Sequence, residues 1–281
     1  MHRFDPGPVK QPFLGLARDY PGAEAYPPEL FRVEWGPIFH RGRLDGSARV
    51  VVIGQDPGQH ESIARRCMTG EAGQRVQGFL AKLGITRSYT IVNALLYSVY
   101  GQPSAGELAP IEQKIADYRE KWLDALLIGR DVEVVVAFGG LAREAFESWL
   151  GPASSPRVDV EYAALYHPTY PEGSGSPGAM KKMLDQWNEE LPRLRGAISD
   201  PDETPDTTPY GATLAPEDRS AIPEEDLPAG SPPWMRSLKQ WASREHLLKA
   251  NASAKKKAEA KRATIVVEIP RAERAWEPLD G

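Results

Sequence analysis

The stretch VEVVVAFGGLAREAFESWL, residues 132–150, decides the fold. Its first seven residues, Val132–Phe138, are apolar apart from one glutamate, which is typical of a strand that is buried on both faces. Gly139 and Gly140 mark a turn, and the segment that follows up to Leu150 is predicted to be a helix. A buried strand that passes through a glycine turn into a helix is typical of an α/β protein.

The same order of strand and helix recurs on both sides of this stretch. The other predicted strands are Arg49–Ile53, Thr90–Leu95 and Tyr162–Tyr166, and the other helices run from Gly70 or Gly73 to Leu83, over Ile111–Leu127 and over Pro177–Leu191. Such alternation implies right-handed βαβ units and a parallel sheet with helices on both faces. The sequence therefore predicts a three-layer α/β/α sandwich around a central four-stranded parallel sheet.

Composition divides the chain into three parts: an α/β domain over residues 1–195, a Pro-rich segment over 196–233 and a tail over 234–281. Residues 197–231 contain nine acidic residues, one basic residue and six prolines, which predicts an extended linker or an arm that wraps the domain. Residues 234–262 contain nine basic and two acidic residues. Trp234, Leu238 and Trp241 have roughly helical spacing, so we expect a helix docked by aromatic residues, followed by a short β-like run at Thr264–Ile269.

Several classes of protein are excluded by the composition. No apolar run approaches the ~18 residues of a membrane span, and the first residues lack the apolar core of a signal peptide, so we expect a soluble cytoplasmic protein. The single cysteine, Cys67, excludes a disulfide framework and any cluster held by several thiolates. His60 and Glu61 have no metal-site spacing to Cys67, and no cofactor is implied. The net charge of −5 argues at first sight against a nucleic-acid partner.

Polar residues follow the predicted strands where a parallel sheet binds its ligands, outside the carboxyl ends of the strands. Asp56 lies in the turn GQDPG, Asn93 lies in the apolar run TIVNALL, and His167 begins HPTYP. The amides of Gly139 and Gly140 open a helix, which favours an anion such as phosphate. Each of these residues alone is more often structural, but their placement at four successive strand ends predicts one shared site.

Five segments, in order, resemble the uracil-DNA glycosylase superfamily over about residues 49–191. They are VVIGQDPG at 51–58, RCMTGEAGQ at 66–74, TIVNALL at 90–96, VVVAFGGLA at 134–142 and HPTYP at 167–171. The two short motifs GQDPG and HPTYP are the most specific of the five. Five matches in the same order are far more specific than any single one.

The resemblance implies a role for each matched residue. Asp56 would stabilise the sugar cation and orient the attacking water, and His167 would donate a hydrogen bond to uracil O2. Asn93 would donate to O4 and accept from N3–H, and Gln55 would contact the same edge of the base. The expected DNA contacts come from Arg65, Arg66, Gly139, Gly140, Thr169 and Tyr170, the last two as part of a wedge.

Two positions depart from the family pattern. Gly58 stands where the best-known family has a tyrosine that excludes the methyl group of thymine, so thymine must be rejected otherwise or less strictly. Met68 stands where an aromatic ring stacks on the base, and either Phe79 or Tyr97 takes over this role or the base packs less tightly. Relatives with the most similar second segment hold an iron–sulfur cluster on four cysteines. With Cys67 alone, the chain resembles an atypical bacterial member without that cluster.

The sequence thus predicts a monomeric DNA repair enzyme, associated with the nucleoid, that removes uracil from DNA and leaves an abasic site. One alternative is a protein of the same fold that binds uracil-containing or abasic DNA with little turnover. Another is an unrelated nucleotide-binding α/β protein. The basic tail is expected to add a nonspecific grip on DNA, with the acidic arm either lying over the domain or competing for that grip.

Overall fold

The computed structural model describes residues 5–101, 105–245 and 248–273. At its centre is a five-stranded sheet in the order β1-β3-β2-β4-β5. The strands are β1 Arg41–Gly42, β2 Val50–Gly54, β3 Tyr89–Asn93, β4 Val134–Phe138 and β5 Glu161–Leu165. Strands β2 to β5 are mutually parallel, as the sequence predicts, and the short β1 adds an antiparallel edge against β3.

Eight α-helices accompany this sheet in the described part of the chain. They are α1 Phe13–Arg18, α2 Gln59–Ala64, α3 Glu71–Lys82, α4 Ala105–Leu127, α5 Gly140–Leu150, α6 Tyr170–Ser174, α7 Ala179–Ala197 and α8 Ala254–Ala263. The short α2 and α6 were not predicted from the sequence. Helix α7 continues past its predicted end at Leu191 and through Pro192, because Leu194 beyond the proline is fully buried in the core. None of these helices combines the length and the apolar content needed to cross a membrane.

The sheet separates two apolar layers, because successive side chains of a strand point to opposite faces. Val50 and Val52 pack with residues of α3 and α7 on one face. Val51 and Ile53 pack with residues of α4 and α5 on the other. The predicted three-layer α/β/α sandwich is therefore confirmed, with β2, β3 and β4 buried throughout and β5 only partly buried.

The segment after α7, which we call the acidic arm (residues 198–231), lies against the sandwich. Asp202 Oδ2 accepts hydrogen bonds from three successive backbone N–H groups, those of residues 86–88, at 2.7–2.9 Å. Asp206 pairs with the buried Lys82 at 2.8 Å, and Asp226 pairs with the buried Arg41 at 2.8 Å. The arm thus supplies counter-ions to cations of the domain.

The basic tail (residues 234–273) differs from the continuous helix expected from residue 234. Its first aromatic residue lies in a 3₁₀ turn, Pro233–Arg236, and the only α-helix described in this segment is α8. Between them, β6 (Ala242–Ser243) pairs with β7 (Val266–Val267), so part of the predicted β-like run is a strand. Trp234 and Trp241 are buried against one another at 5.2 Å, which the helical spacing alone did not specify.

Candidate active site

The carboxyl ends of the parallel strands open into one cleft with a volume of about 1540 Å³. Among the residues that line it are nine predicted site residues: Gln55, Asp56, Gly58, Met68, Gly139, Gly140, His167, Thr169 and Tyr170. Asn93 lines a second, smaller cavity next to Tyr26 and Phe39 rather than this cleft, and neither Arg65 nor Arg66 lines the cleft. The sheet topology therefore brings most of the predicted site together.

Asp56 projects from the loop that follows β2. Its Oδ2 accepts a hydrogen bond from the Val99 backbone N–H at 3.1 Å. Burial raises the pKa of the Asp56 carboxyl to about 6, although this hydrogen bond and the charge of Arg32 favour the ionised form. The group is therefore a carboxylate at neutral pH and takes up a proton in weakly acidic solution.

Glu61 organises the loop around Asp56, a role that the sequence analysis missed. Its Oε2 accepts from the Gly58 backbone N–H at 2.8 Å, and its Oε1 accepts from the N–H groups of Thr69 and Gly70 at 2.6 and 3.1 Å. One buried carboxylate thus joins the acid-bearing loop to the turn that contains Met68. A glutamate three residues after a helix N-cap is the capping-box signal that could have indicated this role.

Met68 and Asn93 meet at the end of β2. A Cβ placed on Gly54 would lie 2.4 Å from Asn93 Oδ1 and 2.5 Å from the Met68 methyl group, so only glycine leaves room for both side chains. Neither polar atom of the buried Asn93 amide has a hydrogen-bond partner among the described residues. An unpartnered buried amide is costly, which suits a group that awaits a ligand.

The two aromatic residues considered as replacements for a stacking ring lie elsewhere. Phe79 is buried in the core against Phe138 and Trp187, with ring centroids 5.6 and 5.3 Å away. Tyr97 packs against Tyr26 on the other face of the sheet. Neither residue lines the cleft, because both fill the apolar layers that hold the sandwich together.

His167 has a defined tautomer when it is neutral. Its Nδ1 accepts from the Thr169 backbone N–H at 3.2 Å and lies 2.9 Å from the hydroxyl group of the same threonine. The proton of the neutral ring therefore resides on Nε2, which is left as a donor. Burial, together with the nearby charge of Arg75, lowers the pKa of His167 to about 4, so the ring is neutral at physiological pH.

Arg75 on α3 anchors the loop that bears His167. Its guanidinium donates to the Pro168 carbonyl oxygen and to both carboxylate oxygens of Glu172, at 3.1 and 2.7 Å for the latter. The arginine side chain is almost fully buried, whereas that of Glu172 is about half exposed, so the pair lies at the protein surface. The signal available in the sequence was an arginine next to Val76 on the buried side of a predicted helix.

Gln55 connects the end of β2 to the start of α5. Its Oε1 accepts from the Leu141 backbone N–H at 3.3 Å. Gly139 has a φ of +95°, and a Cβ there would lie 2.7 Å from Gln55 Oε1, so the close approach requires glycine. The Gln55 side chain therefore contacts the glycine turn at the N-terminus of α5.

Arg65 and Arg66 are engaged outside the cleft. Arg65 donates to the carbonyl oxygens of Trp35 and Pro37 at 2.7 and 2.8 Å, and the buried Arg66 pairs with Asp5 at 2.8 Å. Both side chains hold the N-terminal segment to the sandwich. The cations that do line the cleft come from other positions, three of them in the basic tail: Arg32, Arg143, Arg244, Lys261 and Arg262.

The described residues offer no site for a metal or a cluster. No three His, Cys, Asp or Glu side chains in this part of the chain come together to hold an ion. Cys67 is fully buried, and burial raises the pKa of its thiol far above the usual range. As the single cysteine of the chain, it does not fit a cluster held by four thiolates.

The comparison with protein families agrees with this geometry. A family model, described as the uracil DNA glycosylase superfamily, matches residues 41–192, more than half of the chain. The matched segment begins at β1 and ends within α7, so it contains all five strands of the central sheet and the loops that bear Asp56 and His167. Sequence, fold and cleft lead to one conclusion: the chain is a member of the uracil DNA glycosylase superfamily.

Proposed function

We propose that this protein hydrolyses the N-glycosidic bond of uracil in DNA and leaves an abasic site. The observation that supports this most directly is the pairing, in one cleft, of the Asp56 carboxylate with a neutral His167 whose Nε2 is a free donor. Breaking the bond leaves positive charge on the sugar and negative charge on the base. An anion for one fragment and a hydrogen-bond donor for the other are what this charge separation requires.

In this proposal Asp56 acts on the sugar side. Its carboxylate stabilises the cation that develops at the sugar carbon and orients a water molecule for attack on it. The raised pKa makes Asp56 a stronger base than an ordinary aspartate, so it accepts a hydrogen bond from that water more strongly. Glu61 supports the reaction by holding the backbone of the loop that positions this carboxylate.

His167 acts on the side of the departing base. The Nε2–H group donates to uracil O2 as negative charge collects there, without transferring a full proton. The Thr169 N–H bond to Nδ1 fixes this tautomer, and Arg75 holds the loop through the Pro168 carbonyl and Glu172. Because the pKa of His167 is low, the ring is neutral at neutral pH, so Nδ1 accepts from Thr169 while Nε2–H remains the donor.

Asn93 is proposed to select the base. Its amide can donate to O4 and accept from N3–H of uracil, and the same atoms mismatch cytosine. The lack of any partner for this amide among the described residues supports the assignment. Met68 would give the base an apolar contact, and Gly58 has no ring that could exclude a 5-methyl group, so we expect some tolerance of 5-substituted uracils.

The base must leave the duplex to reach this cleft, at a cost of a few kcal/mol of stacking. Thr169 and Tyr170 line the cleft and are proposed to enter the stack that the base vacates. The ring of Tyr170 is stacked on Tyr166 at 4.4 Å, which makes this loop a firm support. Gly139 and Gly140 are proposed to bring the N-terminus of α5 close to a phosphate.

A labelled oligonucleotide with a single uracil tests the proposal, with strand cleavage by alkali as the readout of base loss. We expect many turnovers with uracil and none with cytosine. Asp56→Asn should lower the single-turnover rate by about 10²–10³-fold while leaving DNA affinity intact, as expected when transition-state charge loses its stabilising group. Binding without repeated turnover would instead favour a protein that only recognises uracil or abasic DNA.

Two matched controls make the result specific. Glu144→Gln removes another carboxylate at the edge of the same cleft and should leave the rate unchanged. His167→Ala should slow bond breakage strongly, whereas Thr169→Ala retains the backbone N–H that fixes the ring and should have a smaller effect. A His167→Ala enzyme with the wild-type rate would remove this residue from the mechanism.

A further inference from the structure

Parts of the chain outside the family match converge on the Asp56 side of the cleft. We call this group of cations the cationic rim, and it consists of Arg32, Arg244, Lys261 and Arg262. All four line the cleft, yet all lie outside residues 41–192. One comes from the segment before the sheet, and three come from the basic tail.

The rim is held in place by aromatic faces and backbone contacts. The guanidinium of Arg32 lies 4.3 Å from the ring centroid of Tyr100 and 4.9 Å from that of Trp35. It also donates to Ser98 Oγ at 3.0 Å, which fixes it beside the loop that hydrogen-bonds to Asp56. Arg262 lies over the same Tyr100 ring at 5.1 Å, so two cations share one aromatic platform.

Contacts between the basic tail and α2 place Arg244 near the Asp56 loop. Trp241 packs edge-on against His60 at 4.7 Å, and the Ala242 backbone N–H donates to His60 Nε2 at 3.3 Å. His60 belongs to α2, which begins just after the Asp56 loop. Strand β6 therefore lies next to the Asp56 loop, and Arg244 is the first residue after this strand.

The cations of the rim have no direct ion-pair partner within the described protein. None of the four side chains forms an ion pair with a carboxylate there, although most buried or clustered cations of this chain do. Burial and the charge of Arg244 lower the pKa of Arg32, while the charges of Asp56 and Glu34 act in the opposite direction. A cluster of cations that repel one another at the edge of a cleft is suited to an anion.

We propose that the cationic rim binds phosphodiester groups of the DNA strand that contains the target base. The proposal rests on the proposed function only in taking DNA as the ligand. The rim lies beside the residue assigned to the sugar, and the phosphates nearest to a flipped nucleotide are those attached to its own sugar. The tail thus supplies contacts to the DNA backbone from outside the family-matched segment.

The test measures binding to DNA that contains no uracil, so it does not depend on excision. Fluorescence anisotropy with a labelled duplex gives the affinity over a series of KCl concentrations. For the double variant Arg244→Gln/Arg262→Gln, we expect the slope of log K against log [salt] to fall by about 1.8, or about 0.9 for each lost phosphate contact. The matched control is Lys255→Gln/Lys256→Gln, which removes two exposed charges from the same tail away from the cleft.

The control pair should retain the wild-type slope, and urea unfolding should show that both double variants are as stable as the wild type. An unchanged slope in Arg244→Gln/Arg262→Gln would overturn the proposal, as would an equal fall in the control pair or a wild-type protein with no salt-dependent binding. If the slope falls as expected but uracil is never excised, the phosphate-binding role of the cationic rim stands and the proposed function fails.

Discussion

The acidic arm and the basic tail are both highly charged, but they use their charges in opposite ways. The carboxylates of Asp202, Asp206 and Asp226 are turned towards the domain, where they accept from backbone amides or pair with buried cations. The cations of the tail that line the cleft have no carboxylate partner in the described chain. Charge that is paired inside the protein serves folding, whereas charge left unpaired at a cleft is available to a ligand.

This difference explains why the net charge of −5 is a poor guide to partners. The acids of the arm that give the chain its negative sign are in part counter-ions of buried residues such as Arg41 and Lys82. They therefore oppose DNA binding less than free surface acids would. The local charge at the cleft is set by the rim instead, which makes a protein of acidic composition compatible with a DNA partner.

The largest effect on the arm is expected from Asp226→Ala. Asp226 is almost fully buried, pairs with Arg41 and Arg43 and accepts from the Tyr89 hydroxyl. Removing one partner of a buried ion pair leaves an uncompensated charge, so the free energy of unfolding in urea should fall by about 3–5 kcal/mol. Glu225→Ala, one residue earlier and exposed, should stay near the wild-type value. Equal stability of the two variants would contradict the structural use of the arm's charge.

A smaller loss is expected from Asp202→Ala. This variant removes one carboxylate that accepts from the N–H groups of Thr86, Arg87 and Ser88, and hydrogen bonds to a charged group contribute about 1.5–3 kcal/mol. The matched control is Glu203→Ala, an exposed neighbour whose side chain makes no described contact with the domain. Comparison of the free energies of unfolding in urea distinguishes the loss of these three hydrogen bonds from a general effect of charge on the arm.

The last two predictions concern the pH dependence of excision, first in the wild type and then in a variant of the basic tail. With a pKa of about 6 for Asp56, the rate of excision should fall as the pH drops through about 6, because the carboxylate that stabilises the sugar cation becomes protonated. His167, with a pKa of about 4, stays neutral across this range and contributes no further loss until the pH is lower. The wild-type profile should therefore show a single acidic limb above pH 5.

Arg244→Gln should move this limb to higher pH. The charge of Arg244 lies close enough to favour the ionised form of Asp56, and its removal raises the pKa of that carboxyl further. Glu217→Gln, an exposed position on the arm, should leave the midpoint where it is. A shift of the limb to lower pH in Arg244→Gln would contradict the placement of the tail beside the acid.

Local patterns predicted the sheet well, because each parallel strand is a short run of apolar residues bounded by a turn. The shared site followed from topology, since Asp56 and His167 lie at the carboxyl ends of strands that the fold places in one sheet. The roles of Glu61 and Arg75 were not predicted. Their partners, such as the Thr69 amide and Glu172, are brought near only by the tertiary structure.

The tail shows the other limit of local patterns. The spacing of Trp234, Leu238 and Trp241 fits a helix, but Pro232 and Pro233 precede it and the first turn is 3₁₀. Packing of two tryptophans on α2 decides the conformation of this segment, and that surface is formed by residues about 180 positions earlier. Long-range contacts of this kind cannot be predicted from the spacing of apolar residues in the tail.

The burial of Arg41 and Lys82 has a consequence for where this protein can be divided. Both cations lie inside the family-matched segment, whereas their carboxylate partners lie at residues 206–226, beyond its end. A fragment cut at residues 41 and 192 would lose these carboxylates together with the part of the arm that covers Lys82, and a whole domain is stable by only about 5–15 kcal/mol. We therefore expect a fragment that extends to Asp226 to be more stable than one that ends with the family-matched segment.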